Sequence, residues 1–302
     1  MKKLSVSAFD ISTKYILNNG RYLEKLLFGH HFITPCPEKL IKALKMYQNK
    51  DGGYGNGLEP DFRMPFSSPM GTSVALEKLM PYDTFPEAQD QIQHAIQYLE
   101  STYSEQLKGW EPVTRSVNLF PHAPWWHYSE EPSRINGNPT AEIVGCLLRY
   151  EKFVQVLDVQ MLKELMIHNF LDAETFEEHE LYCYIRFYNQ LSDVDQSRIV
   201  KQIQAGYKAL VSLDPTNWKE YVPFPLKFIK LTEDPIFEET NLAIEENINY
   251  YVDQLTQIGC MTPNWNWGAY PSEWDIAKRE WTGILTLDAL LTLKKYDAIL
   301  FV

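Results

Sequence analysis

The chain has 302 residues, 45% of them apolar and 23% charged, the mix of a globular protein with a substantial core. Its formal net charge of −12 argues against a nucleic-acid partner, which would need a basic face. No apolar run of about 18 residues occurs, so no transmembrane segment is expected. The start, MKKLSVSAFDIS, has neither the apolar core nor the small-residue cleavage site of a signal peptide. Cys36, Cys146, Cys183 and Cys260 lie far apart with no CxxC pair. They read as free thiols of a cytoplasmic protein, with no support for structural zinc.

Residues 8–28 predict a helix or helix pair broken near Asn18-Asn19-Gly20, and Glu38–Gln48 a helix with Leu40, Leu44 and Tyr47 on one stripe. A loop with glycines at 52, 53, 55 and 57 follows, each able to take positive φ. Thr72 is the expected N-cap of a short helix to about Met80. Glu87–Tyr103 is amphipathic, with Ile92, Ile96, Leu99 and Tyr103 on one face. After a long irregular section, the segment from Thr140 is apolar over most of its circumference, as in a helix buried on several sides.

Further helices are predicted at about 157–170, 176–191, 195–211 and 238–257, with a short apolar segment at 226–231. The loop CMTPNWNWGAYPSEWDIAKREW precedes a last apolar helix from Thr282. No segment alternates with period two, so strands should be few. Gly/aromatic clusters at 52–54, 109–110 and 267–270 are followed by Thr72, Thr140 and Thr282. Repeats of about 50 residues suit polar-faced outer and apolar inner helices. The expected fold is all-α: a single α/α toroid of about five to six hairpins spanning residues 1–302.

Gln48, Asp51, Gly52, Gly53 and Tyr54 form a Gln-x-x-Asp-Gly-Gly-aromatic run. It resembles the repeat of terpenoid cyclases and protein prenyltransferase β subunits, where this turn joins outer to inner helices. The resemblance implies an α/α toroid over most of the chain, but only one copy is clean. The Asp-x-Asp-Asp run of the cyclases and the DDxxD magnesium motif are absent, and no farnesyltransferase-like zinc trio can be placed. Catalytic roles are therefore not carried over, and ring folds of this kind host unrelated chemistries.

Seven of the eight tryptophans fall within 110–126 and 265–281. Trp110, Trp125, Trp126, His127, Trp265, Trp267, Tyr270 and Trp274 are candidate substrate-binding residues, since rings serve glycans by stacking and isoprenoids by apolar burial. The same rings also suit plugs that pack the loops. Pro121 and Pro124 stiffen FPHAPWWHY, placing His122 and His127 in a rigid loop. The acidic candidates are Glu59, Asp61, Glu111, Glu142, Glu273, Asp275 and Glu280. Glu142, Asp61 and His122 are the catalytic candidates, because proton-transfer chemistry needs a donor and a base. Glu142 sits in the first turn of an apolar helix, where helix-dipole compensation is the plainer role. His30-His31 with Cys36 reads as a loop rather than a metal or nucleophile cluster.

The expected function is binding or processing of a small molecule, isoprenoid among the options, at a Trp-rich rim. The alternatives are a carbohydrate-active hydrolase or lyase with paired carboxylates, and a non-catalytic scaffold. No cofactor or metal is assigned, and neither substrate nor oligomeric state is specified.

Overall fold

A computed structural model describes residues 1–130, 137–237 and 241–301. Among them are twelve α-helices and no β-strand, only isolated bridges such as Gln48 with Tyr54 and Phe62 with His122. In order they are α1 (Val6–Asn19), α2 (Tyr22–Phe32), α3 (Pro37–Lys45), α4 (Pro69–Leu79), α5 (Pro86–Thr102) and α6 (Gly137–Arg149). Then come α7 (Val159–Leu171), α8 (Glu178–Tyr188), α9 (Asp193–Leu210), α10 (Pro225–Ile229), α11 (Asn241–Ile258) and α12 (Pro271–Lys295). The described residues are all-α, and among them no helix is long and apolar enough to cross a membrane. His30 and His31 lie in the last turn of α2, so that segment is helix rather than the expected loop.

The chain divides into two compact units. The first comprises Met1–Ala43, Ser212–Lys230 and Glu238–Val302. In it α12 packs on α1, α2 and α11, and α10 on α11. Leu4, Ile16, Phe28, Leu255, Leu290 and Leu293 form part of its buried core. The two chain ends meet there, Leu4 N–H donating to the Ala298 carbonyl at 2.8 Å and Leu300 N–H to the Leu4 carbonyl at 2.9 Å. Helix α12 is longer than its apolar pattern suggested. Pro271 occupies its first turn, where a missing N–H costs nothing, so PSEWDIAKREW is helical and not loop.

The second unit comprises Leu44–Val211 and Leu231–Phe237. Here α4 packs on α5 and α6, α6 on α7 and α8, α8 on α9, and α7 on α9. Three helical pairs thus stand side by side, with α4, α6 and α8 contiguous. The alternation of amphipathic and apolar segments expresses this order: α5 buries Ile92, Ala95, Ile96 and Leu99 on one stripe, whereas α6 buries every residue from Pro139 to Leu147.

The Gly-rich turn is a braced structure. Gln48 Nε2 donates to the Gly52 carbonyl at 2.8 Å and to the Gln91 carbonyl of α5 at 3.0 Å. Asp51 Oδ1 accepts from Gly53 N–H at 3.1 Å and from Ser67 Oγ at 2.7 Å. Tyr54 donates its hydroxyl to Gln91 Oε1 at 2.9 Å from a fully buried position. The polar residues of the Gln-x-x-Asp-Gly-Gly-Tyr run therefore satisfy a buried turn.

Thr72 is not the N-cap. Ser68 caps α4, accepting from Gly71 N–H, with Pro69 in the first turn, so the helix starts earlier than expected. Thr72 instead accepts from Tyr54 N–H at 3.0 Å and donates to the Ser68 carbonyl at 2.8 Å. Thr140 repeats the arrangement, its hydroxyl accepting from Trp110 N–H at 3.3 Å. In the first unit Thr286, one turn beyond the expected Thr282, accepts from Met261 N–H at 2.9 Å and donates to the Thr282 carbonyl at 2.6 Å. A loop N–H is thus locked to a helix threonine at each of the three places.

Gly52 has φ 90°, and a Cβ there would sit 2.4 Å from the His94 carbonyl oxygen. Gly52→Ala is expected to destabilise the protein by about 2 kcal/mol or more, from backbone strain and the clash together. Urea denaturation checks this; a loss under about 0.5 kcal/mol, the level of an indifferent surface change, would contradict it.

Candidate functional site

Two groups of side chains in the second unit bring titratable residues together. The first lies on the contiguous helices α4, α6 and α8. Glu142 of α6 is 8% exposed at its side chain, and its Oε2 accepts from Arg186 Nη1 of α8 at 3.1 Å. Arg186 Nε lies 3.3 Å from Glu77 Oε1 of α4, the second ion pair of the same guanidinium. One guanidinium thus stands between two carboxylates from different helices, and it keeps 28% of its side chain exposed. Cys183 directs its thiol toward Glu142 Oε2 at 3.6 Å and toward Asn138 Oδ1 at the same distance.

Burial holds the Glu142 carboxyl above the ordinary carboxylate range. Arg186 works against that shift, Glu77 adds to it, and hydrogen bonds from Cys183 and Ser73 oppose it. Burial also pushes the Cys183 thiol up, and the Glu142 charge reinforces this. Burial alone would lower Arg186, yet Glu77 and Glu142 outweigh it and keep the guanidinium charged.

The second group is a layer of loop over the start of α4. Residues 58–68 and 110–128 pair through Arg63 N–H to the Pro121 carbonyl and Ala123 N–H to the Asp61 carbonyl, both 2.8 Å. Met70 N–H ties the same layer to the Pro112 carbonyl at 2.9 Å. Phe62, Met64, Met70, Val113 and Val117 form its small core, with Trp126 packed against it. The rings of His122 and His127 stack with centroids 5.3 Å apart, and His122 Nε2 is 3.1 Å from His127 Nδ1. Asp61 and His122 are each 5% exposed.

The candidates therefore separate. Asp61, His122, Trp126 and His127 come together in the loop layer, while Glu142 belongs to the helix group. Trp110 is buried and donates its indole N–H to the Leu99 carbonyl at 2.7 Å, closing the end of α5. Trp125 is exposed, and Trp126 packs edge-on against Phe62 at 5.9 Å with its indole nitrogen buried and unpartnered.

In the first unit Trp267 and Trp274 are buried against each other at 5.7 Å, Trp274 lying on α12 rather than in a loop. Trp265 makes edge contacts with Tyr221 at 5.9 Å and Trp281 at 5.3 Å, and its indole nitrogen is also buried without a partner. Tyr270 is exposed, with φ 49° at the start of α12. Glu273, Asp275 and Glu280 likewise lie on α12. Among the described residues no group of three or more His, Cys, Asp and Glu side chains is placed to hold a metal ion.

Glu77, Arg186, Ser73 and Asn118 were not anticipated. Arg186 carried a signal: a lone cation inside the apolar run Tyr184-Ile185-Arg186-Phe187 needs a carboxylate partner if that run is buried. Compared with known proteins, the chain matches no family model, no curated protein and no solved structure.

Arg186→Met should cost about 3 kcal/mol by urea denaturation, near the lower end for breaking a buried pair because Arg186 is part-exposed. Most of that loss should vanish in a Glu142→Gln background, where no buried carboxylate is stranded; equal losses in both backgrounds would contradict the pairing. The pH dependence has a defined sign. With the folded-state value above the ordinary 4.5, the folded protein keeps a proton that the unfolded chain releases. The Glu142 contribution to stability thus falls as pH rises from 4.5 to the folded-state value, then stays level. Melting curves of Glu142→Gln should lack this component; an unchanged pH slope would refute it.

Proposed function

We propose that the second unit binds and processes a polar, hydroxyl-bearing small molecule by proton transfer, with Glu142 as proton donor and Glu77 as its partner carboxylate. The observation that carries this reading is the shared guanidinium, which keeps one buried and one more exposed carboxylate within the span of a single small ligand. Unequal environments split the roles of two carboxylates, the buried one holding its proton and the wetter one acting as base or charge stabiliser. The chemistry is of the hydrolase or lyase type named for the paired-carboxylate alternative.

An isoprenoid ligand is the less favoured reading. A hydrocarbon chain laid against Glu77, Glu142 and Arg186 would strip water from charged groups without replacing their hydrogen bonds. The α/α toroid implied by the Gln-x-x-Asp-Gly-Gly resemblance is the architecture this proposal adopts. The scaffold reading draws on the same ion group, because it also fastens α4, α6 and α8 together.

A thermal-shift panel of oligosaccharides and prenyl diphosphates separates these readings. A hydroxyl-rich ligand at about 100 times its Kd should stabilise by about 2.7 kcal/mol. That is a rise of several degrees for a domain of this size, and it should weaken in Glu142→Gln. Stabilisation by prenyl diphosphates alone would overturn the polar-ligand reading, and no stabilisation by either set would favour the scaffold.

A further inference from the structure

The loop from Asn118 to Tyr128 dictates where the protons of two imidazoles sit. A carbonyl oxygen can only accept, so the 2.6 Å contact between His122 Nδ1 and the Phe120 carbonyl requires Nδ1–H. In the neutral ring His122 Nε2 is then a lone pair. His127 Nδ1, 3.1 Å away, must supply the proton between them. That leaves a lone pair on His127 Nε2, with Asn118 Nδ2 at 3.5 Å as a weak donor. The Asn118 amide cannot be reversed. Its Oδ1 accepts from Tyr128 N–H and its Nδ2 donates to the Tyr128 carbonyl, both at 2.9 Å.

Every link in this chain points the same way, from Asn118 through His127 and His122 to the Phe120 carbonyl. Burial is graded along it, with His127 exposed and His122 buried. A hydrogen-bonded row of this kind polarises its members, and it ends on the lone pair of the exposed His127 ring.

We infer that His127 and His122 form a one-proton relay whose basic end is His127 Nε2, serving a ligand hydroxyl at the loop surface. The inference rests on the polar-ligand reading for its substrate class but not for its geometry. The proton lost by the ligand O–H becomes the Nε2–H of His127. The former Nδ1 proton of His127 becomes the Nε2–H of His122, and the negative charge stays on the ligand oxygen. His127 ends neutral and His122 ends as the cation, its Nδ1–H still bonded to the Phe120 carbonyl. His127 is the candidate catalytic group, and His122 is a positioning residue that acts through it.

Long-range 1H–15N spectra of the full chain at about pH 8, above the ordinary histidine range, test the proton positions without any ligand. Both His122 and His127 should show the Nδ1–H tautomer, although free imidazole side chains favour Nε2–H. In His127→Ala, His122 should keep Nδ1–H, because the Phe120 carbonyl fixes it. In His122→Phe, His127 should revert to mainly Nε2–H. Ethoxyformylation mapped by mass spectrometry tests the basic end: His127 should be labelled at least about threefold faster in the native chain than in His122→Phe. An Nε2–H tautomer at His127 in the native chain, or equal labelling rates, would overturn the relay. Those results would leave the Glu142 proposal standing, just as a blank ligand panel would leave the tautomer assignment standing.

Discussion

The second unit depends on one ion group, in which Arg186 of α8 is held between Glu142 of α6 and Glu77 of α4. A charge placed among residues as buried as Ile185 and Phe187 is tolerable only with its partners in position. The three helices must therefore approach in one register, and the close packing of α6 on α8 follows. At Gly145, a Cβ would lie 3.1 Å from Phe187 Cα, so even one methyl would disturb that approach. The burial that makes the group a staple also raises the Glu142 carboxyl above its ordinary range, with Arg186 opposing that shift.

Around this centre the loops are fastened by hydrogen bonds rather than by sheet structure. Thr72 and Thr140 each take a loop N–H onto a largely buried helix. Gln48 and Gln91 join the Gly-rich turn to α5 in the same manner. Because these bonds are buried, each is costly to lose. The layer carrying Asp61, His122 and Trp126 is tied to the start of α4 by Met70 N–H and the Pro112 carbonyl.

Much of the fold was legible in the sequence because it is written in apolar periodicity and in Gly and Pro punctuation. Helices α5, α7, α9 and α11 follow from their stripes, and the break between α1 and α2 from Asn18-Asn19-Gly20. The start of α12 was hidden because Trp274, Ala277 and Trp281 bury a face on a stretch otherwise charged and exposed. The role of Thr72 was hidden because Ser68 and Pro69, four and three residues upstream, already supply the cap. Of the site, Glu142 was legible as an acid on an apolar helix. Its partners Glu77 and Arg186 lie 65 and 44 residues away in sequence and only packing joins them. The tryptophans divide: Trp110, Trp267 and Trp274 are core, as large rings often are and as the plug alternative has it, while Trp125 is exposed.

The claim on which the functional account turns is that Glu142 holds its proton more tightly than an ordinary carboxyl. A 13C NMR titration of the glutamate side chains, with Glu142 assigned by its Gln variant, measures this directly. The account predicts a midpoint for Glu142 above the ordinary 4.5, moving further up when Arg186 is replaced by Met. A midpoint at or below 4.5 would contradict it, and would reduce the Glu77–Arg186–Glu142 group to a structural ion pair.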